Sequence, residues 1–339
     1  MSGSKKLFFR VDMNRTIATG HMMRCLAIAD AAQKIGIRST FIIADNTAVS
    51  LLQSRRYQYI ILRSSWDKMD DEIGQMIELI HRHNIEKLII DSYYVTKSYL
   101  AALTYETETW YIDDINAFHY PVNGIICYAS YWRKFKYDDS YSDTQLLLGT
   151  EYAPLRREFT NLPLKKINER IAHILILSGG SDEYNIIGKL LESQKGKSDT
   201  VIDAVCGLFN PRYDEMTDKF QKNLKIHIHR SLPDIDQYMK TADLAISAGG
   251  TTLYELCACG TPTIAYSLAD NQLDNVRQFD EDGVIKYAGD VRTDDVVSNA
   301  IELMKQYDCM EVRKLLSAKM QRLVDGLGAI RIVEGILGK

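Results

Sequence analysis

The chain has 339 residues, enough for two domains of roughly 100–200 residues each. Its 41 Lys and Arg against 45 Asp and Glu give a net charge of −4, which argues against sequence-independent binding of nucleic acid. The apolar share of 46% fits a soluble globular protein, and no stretch approaches the roughly 20 apolar residues that span a bilayer. We therefore expect a cytoplasmic protein, with its 6 scattered cysteines reduced and mostly buried.

Short apolar runs alternate with helix-like stretches in the first half of the chain. The segments 21–35, 70–83 and 98–106 carry apolar residues at helical spacing. The predicted strands are 7–11, 40–43, 59–62, 87–90, 110–112 and 124–127. This alternation predicts a parallel, doubly wound α/β sheet.

The same alternation begins again after a polar, proline-containing stretch at 161–168. The second set of predicted strands is 172–177, 201–206, 225–228, 244–247, 263–266 and 284–287. We therefore predict two Rossmann-like domains, 1–163 and 164–339, that face each other across a cleft. The helical pattern at 312–337 could cap the second domain or cross back onto the first, and the sequence leaves both open.

The loop from the first predicted strand into the first helix carries Gly20 and His21. Ligands of open parallel sheets bind where strands end and helices begin, so this loop is a candidate site. Gly20 permits close approach of the backbone. A histidine at a helix start is favoured in its neutral form, which can accept a proton. The alternative interpretation is that His21 only caps the helix.

Two glycine-rich loops follow strands of the second half. Gly179 and Gly180 come first; they match neither the dinucleotide fingerprint nor the P-loop. The second loop carries Ser247, Gly249, Gly250, Thr251, Thr252 and, one turn into the helix, Glu255. Amides and hydroxyls at a helix start can hold a diphosphate, and Glu255 can accept from ribose. Capping by either threonine is the alternative. Asn271 and Gln272 follow the next strand.

Metal binding has little support in the sequence. Asp113 and Asp114 are adjacent, so their side chains point to opposite faces of a strand, and turn formation before Asn116 is the simpler interpretation. His227 and His229 share a face, but no third ligand is evident. We expect no metal and no other cofactor.

Together these motifs resemble the UDP-sugar hydrolases of pseudaminic acid biosynthesis, which cleave UDP-2,4-diacetamido-2,4,6-trideoxy-beta-L-altropyranose and resemble GT-B glycosyltransferases in fold. The resemblance covers nearly the whole chain. The matching segments are 10–12, 17–25, 90–93, 113–114, 148–159, 178–182, 247–255 and 271–272.

The resemblance implies a catalytic role for His21 and a UDP site on the second domain. It places the diphosphate at Gly249 to Thr252, the ribose at Glu255 and the uracil at the backbone near Ile235, with Tyr93 and Asn271 close to the sugar. The remaining predicted substrate-binding residues are Arg10, Asp12, Gly20, Arg24, Gly179, Gly180, Ser247 and Gln272. A GT-B glycosyltransferase and a UDP-sugar-binding protein without turnover remain alternatives, and the oligomeric state and the sugar's identity stay open.

Overall fold

The computed structural model of the protein describes residues 6–14, 16–17, 19–180, 182–194, 200–207, 210–232 and 234–338. The chain divides into two compact units. Unit 1 consists of Met1–Arg157 and Gly326–Lys339, and unit 2 consists of Glu158–Asp325.

Unit 1 is built around a parallel sheet with seven strands in its described residues. In chain order the elements are β1 (Lys6–Val11), α1 (Gly20–Lys34), β2 (Arg38–Ile43), α2 (Val49–Ser54), β3 (Gln58–Ile61), α3 (Ile73–His83), β4 (Lys87–Asp91), α4 (Lys97–Glu106), β5 (Glu108–Ile112), β6 (Gly124–Cys127), α5 (Tyr137–Ser140) and β7 (Gln145–Leu148). The strand order is β3-β2-β1-β4-β5-β6-β7. Successive residues of β4 are buried on both faces, as a parallel sheet between helices requires.

Unit 2 has the same architecture, with six parallel strands in its described residues. Its elements are β8 (His173–Leu177), α6 (Ile186–Ser193), β9 (Val201–Cys206), α7 (Tyr213–Phe220), β10 (Ile226–Arg230), α8 (Ile235–Thr241), β11 (Leu244–Ala248), α9 (Thr252–Cys259), β12 (Thr263–Ser267), α10 (Asp270–Glu281), β13 (Lys286–Asp290), α11 (Val296–Tyr307) and α12 (Met310–Leu323). The strand order is β10-β9-β8-β11-β12-β13. Two doubly wound α/β units confirm the fold class predicted from the sequence.

The final helix, α13 (Gly328–Ile336), belongs to unit 1 and not to the second domain in which the sequence boundaries placed it. It packs on α1 and buries Ile332, Val333 and Ile336. A Cβ at Gly328 would lie 2.2 Å from the carbonyl oxygen of Ala153, so glycine allows this close approach. The first unit therefore ends at 157, resumes at 326, and differs from the predicted domain 1–163.

Each sheet has one point where the chain reverses its direction of travel across the strands. In unit 1 this point lies between β1 and β4, and in unit 2 it lies between β8 and β11. Loops at such a point diverge and leave a crevice at the carboxyl edge of the sheet, where ligands of open α/β sheets bind. No helix in the described ranges combines the length and apolarity needed to cross a membrane.

Candidate active site

The loop from β1 to α1 delivers His21 to the carboxyl edge of unit 1. The side chain of Asn14 shapes this loop, because its Oδ1 accepts hydrogen bonds from the amides of Thr16 (2.8 Å) and Ile17 (3.0 Å). α1 then begins at Gly20, and His21 lies buried in its first turn. A Cβ built on Gly20 would meet no atom within 4 Å, so the space beside this residue is open.

Asp91, the last residue of β4, holds His21. Its Oδ1 lies 2.5 Å from Nδ1 of His21. Burial acts to raise the pKa of Asp91, but the charges of Arg24 and His21 and their hydrogen bonds bring that pKa well below its usual range. The ionised carboxylate can only accept, so Nδ1 is the donor. A neutral His21 then carries its free lone pair on Nε2, the arrangement of a general base.

Arg24, one turn after His21 on α1, fixes Asp91 from the other side. Its Nε donates to Oδ2 and its Nη2 to Oδ1 of Asp91, both at 2.6 Å. Its Nη1 donates to Oδ2 of Asp114 and to the hydroxyl of Tyr128, both at 3.0 Å. Burial opposes the charged form, yet Asp91 above all raises the pKa of Arg24 well above its usual range. These contacts give Arg24 a positioning role.

Tyr93 lies on the solvent side of the same group. Its ring packs edge to face against the His21 ring, with the ring centroids 4.7 Å apart. Its hydroxyl donates to Oδ2 of Asp114 at 2.9 Å. Desolvation and the Asp114 carboxylate raise the pKa of Tyr93, so the hydroxyl stays protonated at neutral pH. We call His21, Arg24, Asp91, Tyr93, Asp114 and Tyr128 the His21 cluster. The structure brings three predicted site residues together here, namely His21, Arg24 and Tyr93.

Arg10 and Asp12 lie elsewhere, in a network beneath the edge of the sheet. The Arg10 side chain is fully buried; its Nε and Nη2 donate to Glu72 at 2.6 and 3.0 Å, and its Nη1 donates to Asp12 at 2.5 Å. Asp12 also accepts from the amide of Ala44 at 2.7 Å. The prediction that Arg10 contacts substrate is at odds with this burial. Its guanidinium instead ties β1 to the segment that precedes α3.

The second glycine-rich loop lies at the crevice of unit 2, between β11 and α9. The amide of Gly249 donates to the carbonyl oxygen of Tyr266 at 2.8 Å, so it is unavailable to a phosphate. This corrects the prediction that Gly249 donates to the diphosphate. The amides from Gly250 to Thr252 remain, because the first N–H groups of a helix have no acceptor within it. Thr251, at the N-cap of α9, makes no capping hydrogen bond with its side chain.

The other predicted residues of unit 2 differ in how near they lie to this loop. Gln272 accepts from the amide of Leu268 at 3.0 Å and adjoins the open space beside Gly250. Ser247 is buried, and its hydroxyl donates to the carbonyl of Ala248, so it does not reach the edge. Four predicted residues keep positions at strand ends or helix starts: Gly179, Gly180, Ile235 and Glu255. Ser181 and the side chain of Asn271 lie outside the described part of the chain.

The histidine pair on β10 belongs to a larger group centred on Asp203 of β9. Asp203 lies 2.6 Å from Nε2 of His229, 2.6 Å from Nε2 of His173 and 3.4 Å from Nδ1 of His227. Sequence reasoning missed His173 and Asp203 because their strands become neighbours only in the fold. No group of three potential metal ligands with suitable geometry occurs among the described residues.

Asp113 and Asp114 lie just after β5, in the loop and not on the strand that the sequence argument assumed, and they have different partners. Asp113 is buried and accepts from the amides of Ile115 and Asn116 and from the hydroxyl of Tyr120. It therefore shapes the turn that follows β5. Asp114 joins the His21 cluster instead. Sequence reasoning missed the roles of Asp91 and Asp114; the one available signal was a carboxylate at the end of an otherwise apolar strand.

Comparison with known proteins supports the fold and its relationships. Residues 173–320, within unit 2, match the glycosyltransferase family 28 C-terminal domain. An uncharacterized protein of Methanocaldococcus jannaschii is 31% identical over 160 residues, which cover 45% of this chain and 32% of that protein. The spore coat polysaccharide biosynthesis protein SpsG of Bacillus subtilis is 28% identical over 197 residues, 55% of this chain and 54% of SpsG.

A third relative, from Helicobacter pylori, is named pseudaminic acid cytidylyltransferase and UDP-2,4-diacetamido-2,4,6-trideoxy-beta-L-altropyranose hydrolase. It is 28% identical over 146 residues, 42% of this chain and 26% of that protein. The matched segments thus span about half or less of the length of these curated relatives.

Solved structures show the same fold over nearly the full chain. MurG of Acinetobacter baumannii superimposes with a TM-score of 0.71 at 12% identity, covering 99% of this chain and 100% of MurG. The UDP-GlcNAc 2-epimerase of Neisseria meningitidis gives 0.64 at 14% identity, covering 99% and 100%. The chain has the GT-B fold. The family 28 match covers unit 2 only.

Proposed function

We propose that this protein hydrolyses a UDP-linked 2,4-diacetamido-2,4,6-trideoxy sugar to the free sugar and UDP. The observation that carries the proposal is the 2.5 Å contact between His21 and the ionised Asp91. It orients a histidine whose Nε2 can accept a proton, beside open space at the crevice edge of unit 1. A histidine that only capped its helix would have no need of a buried carboxylate.

The proposed reaction is an inverting displacement at the anomeric carbon. His21 Nε2 removes a proton from a water molecule as the water oxygen bonds to that carbon. The bond between this carbon and the phosphate oxygen breaks, and UDP leaves with its electron pair. A positioned base contributes about 100- to 10,000-fold to such a rate. Asp91 keeps the imidazole oriented and stabilises the imidazolium that forms.

In this proposal unit 2 binds the UDP moiety. Negative charge grows on the departing diphosphate, and the amides from Gly250 to Thr252 at the start of α9 are the donors that can stabilise it. Glu255, in the first turn of α9, is the proposed partner of the ribose hydroxyls. Ile235 begins α8, where the backbone is the proposed uracil contact.

The relatives support this choice of substrate without deciding it. The H. pylori protein carries the name of a hydrolase for this sugar nucleotide, and SpsG is named for polysaccharide biosynthesis. The match to a glycosyltransferase domain favours a second candidate, in which an acceptor hydroxyl replaces water and His21 keeps its role. A binding protein without turnover is the third.

The test is to incubate the protein with UDP-2,4-diacetamido-2,4,6-trideoxy-beta-L-altropyranose, without acceptor or metal, and to follow UDP and free sugar by NMR. Equal amounts of both products, lost in His21→Asn, are expected. Thermal unfolding of the variant serves as the folding control. Release of UDP only after an acceptor is added would favour the transferase. Binding with no product over hours would favour the binding protein, and normal turnover by His21→Asn would refute the base.

A further inference from the structure

Two exposed aromatic side chains stand in consecutive positions next to the His21 cluster. Tyr93 and Tyr94, in the loop after β4, are 42% and 40% exposed. The ring of Tyr93 contacts that of His21, whereas the ring of Tyr94 packs edge to face against Trp66, with the ring centroids 4.8 Å apart. Trp66 comes from the loop after β3, and it is partly buried. Both loops leave the carboxyl edge of the same sheet.

These aromatic rings are held in place. The turn that carries the tyrosines is fixed because the amide of Tyr94 donates to the Ser92 hydroxyl at 3.1 Å and the Tyr111 hydroxyl donates to the Ser92 carbonyl at 3.0 Å. A further bond joins the two loops, since the hydroxyl of Thr96 donates to Asp70 at 2.6 Å. Ordering exposed aromatic side chains costs conformational entropy and leaves apolar surface in water.

We propose that Tyr94 and Trp66 form an apolar platform for the sugar of the substrate, and that they select a deoxygenated, N-acetylated hexose over one that carries more hydroxyls. This inference rests on the proposed function and extends it to residues that the sequence motifs did not include. The occupant follows from position, because Tyr94 directly follows Tyr93 in the chain and the ring of Tyr93 contacts the proposed base. A ring methyl and acetamido methyls can cover aromatic surface, whereas hydroxyls would lose water there.

The experiment compares Tyr94→Ala and Trp66→Ala with a matched control, Tyr105→Ala. Tyr105 lies on α4 and is 89% exposed, so its removal takes away an aromatic ring without touching the platform. Calorimetry gives the Kd of UDP, of UDP-N-acetylglucosamine and of the UDP-diacetamido-trideoxy sugar. All variants carry His21→Asn, so that turnover does not consume the ligand.

Either platform substitution is expected to raise the Kd of the diacetamido sugar nucleotide roughly 10-fold, the scale of a lost apolar contact. The Kd of UDP should not change, and that of UDP-N-acetylglucosamine should change less. Unchanged affinity for the diacetamido sugar nucleotide, or equal weakening of all three ligands, would overturn the platform. The comparison does not depend on hydrolysis. Absence of turnover in the unsubstituted protein would refute the proposed function, whereas the affinity ratios would still test the platform.

Discussion

At the scale of single residues, the proposed role of His21 as a base depends on its contact with Asp91. Changing Asp91→Asn keeps the shape but removes the charge, so the imidazole loses its fixed orientation and its counter-ion. We expect kcat for sugar release to fall by about 100- to 10,000-fold. Steady-state kinetics measures the loss, with thermal unfolding of the variant as the check on folding.

Cys25→Ala is the matched control for that experiment. The Cys25 thiol also contacts Asp91, at 3.6 Å, but it carries no charge because burial raises the pKa of the thiol well above its usual range. Near-normal kcat is expected. Equal losses in both variants would show that Asp91 supports packing and not catalysis.

Asp203 gives the protein a specific sensitivity to acid. Burial acts to raise its pKa, but the hydrogen bonds from His173 and His229 lower that pKa to about 2. The unfolded value is about 3.9, so the unfolded chain binds more protons between these limits. The stabilisation is complete above about pH 4 and is lost as pH falls towards 2, on the order of 2 kcal/mol in total.

Denaturant unfolding of the unsubstituted protein and of Asp203→Asn at pH 7 and pH 3 tests this. The variant should be the less stable of the two at pH 7, and the difference should shrink at pH 3. A gap that stays constant with pH would contradict the assignment, because the carboxylate would then contribute nothing through its charge.

Particular residues show how far the sequence could predict the site. His21 stands at a strand-to-helix loop after a glycine, a local pattern that a sequence displays. Arg10 was predicted to bind substrate because segment 10–12 matches the family that the sequence resembles. Its partner Glu72 is 62 positions away, so its burial was invisible before the fold was known. A separation of 70 positions likewise hid the contact of Asp91 with His21.

At the scale of the element, the two neighbouring glycines in the loop before α9 have different roles, one in packing and one in the proposed binding of UDP. A Cβ at Gly249 would lie 2.1 Å from Cγ1 of Val276, whereas one at Gly250 would have nothing closer than 4.0 Å. Gly249→Ala should therefore destabilise unit 2 by about 1–3 kcal/mol. Gly250→Ala should unfold like the unsubstituted protein but bind UDP more weakly, because its Cβ occupies space beside the proposed phosphate donors.

Thermal unfolding and UDP calorimetry of both variants distinguish the packing role of Gly249 from the proposed binding role of Gly250. Loss of stability in Gly250→Ala, or its absence in Gly249→Ala, would show that the packing of the loop before α9 against α10 has been misassigned.

Strands with strong apolar runs were predictable, and β7 was not. Its residues Gln145–Leu148 include three consecutive leucines, but so short an apolar run does not distinguish a strand from part of a buried helix, and the strand is only half-buried at the sheet edge. The helical pattern near the C-terminus was predictable, but its choice of unit was not. That choice depends on packing against α1, which periodicity does not encode.

At the scale of the whole molecule, UDP binding should slow hydrogen exchange in one unit and not in the other. If unit 2 holds UDP, the ligand should slow hydrogen exchange at the loop before α9 and at the start of α8. Exchange in β1, β4 and β5 of unit 1 should stay unchanged, because UDP alone lacks the sugar that this unit would contact. Mass spectrometry of exchanged peptides measures both, and protection confined to unit 1 would reverse the assignment.

The return of α13 to unit 1 makes the whole of unit 2 an insertion within the first. On the ribosome, residues 158–325 emerge before the helix that completes unit 1. Unit 2 can therefore reach its final form while the surface of α1 that α13 will cover is still bare. A chain halted near residue 325 would carry a finished second unit beside an unfinished first one. Because unit 2 is one continuous segment, it could be exchanged between related proteins as a single piece. Unit 1 has to be assembled from two separate stretches of chain.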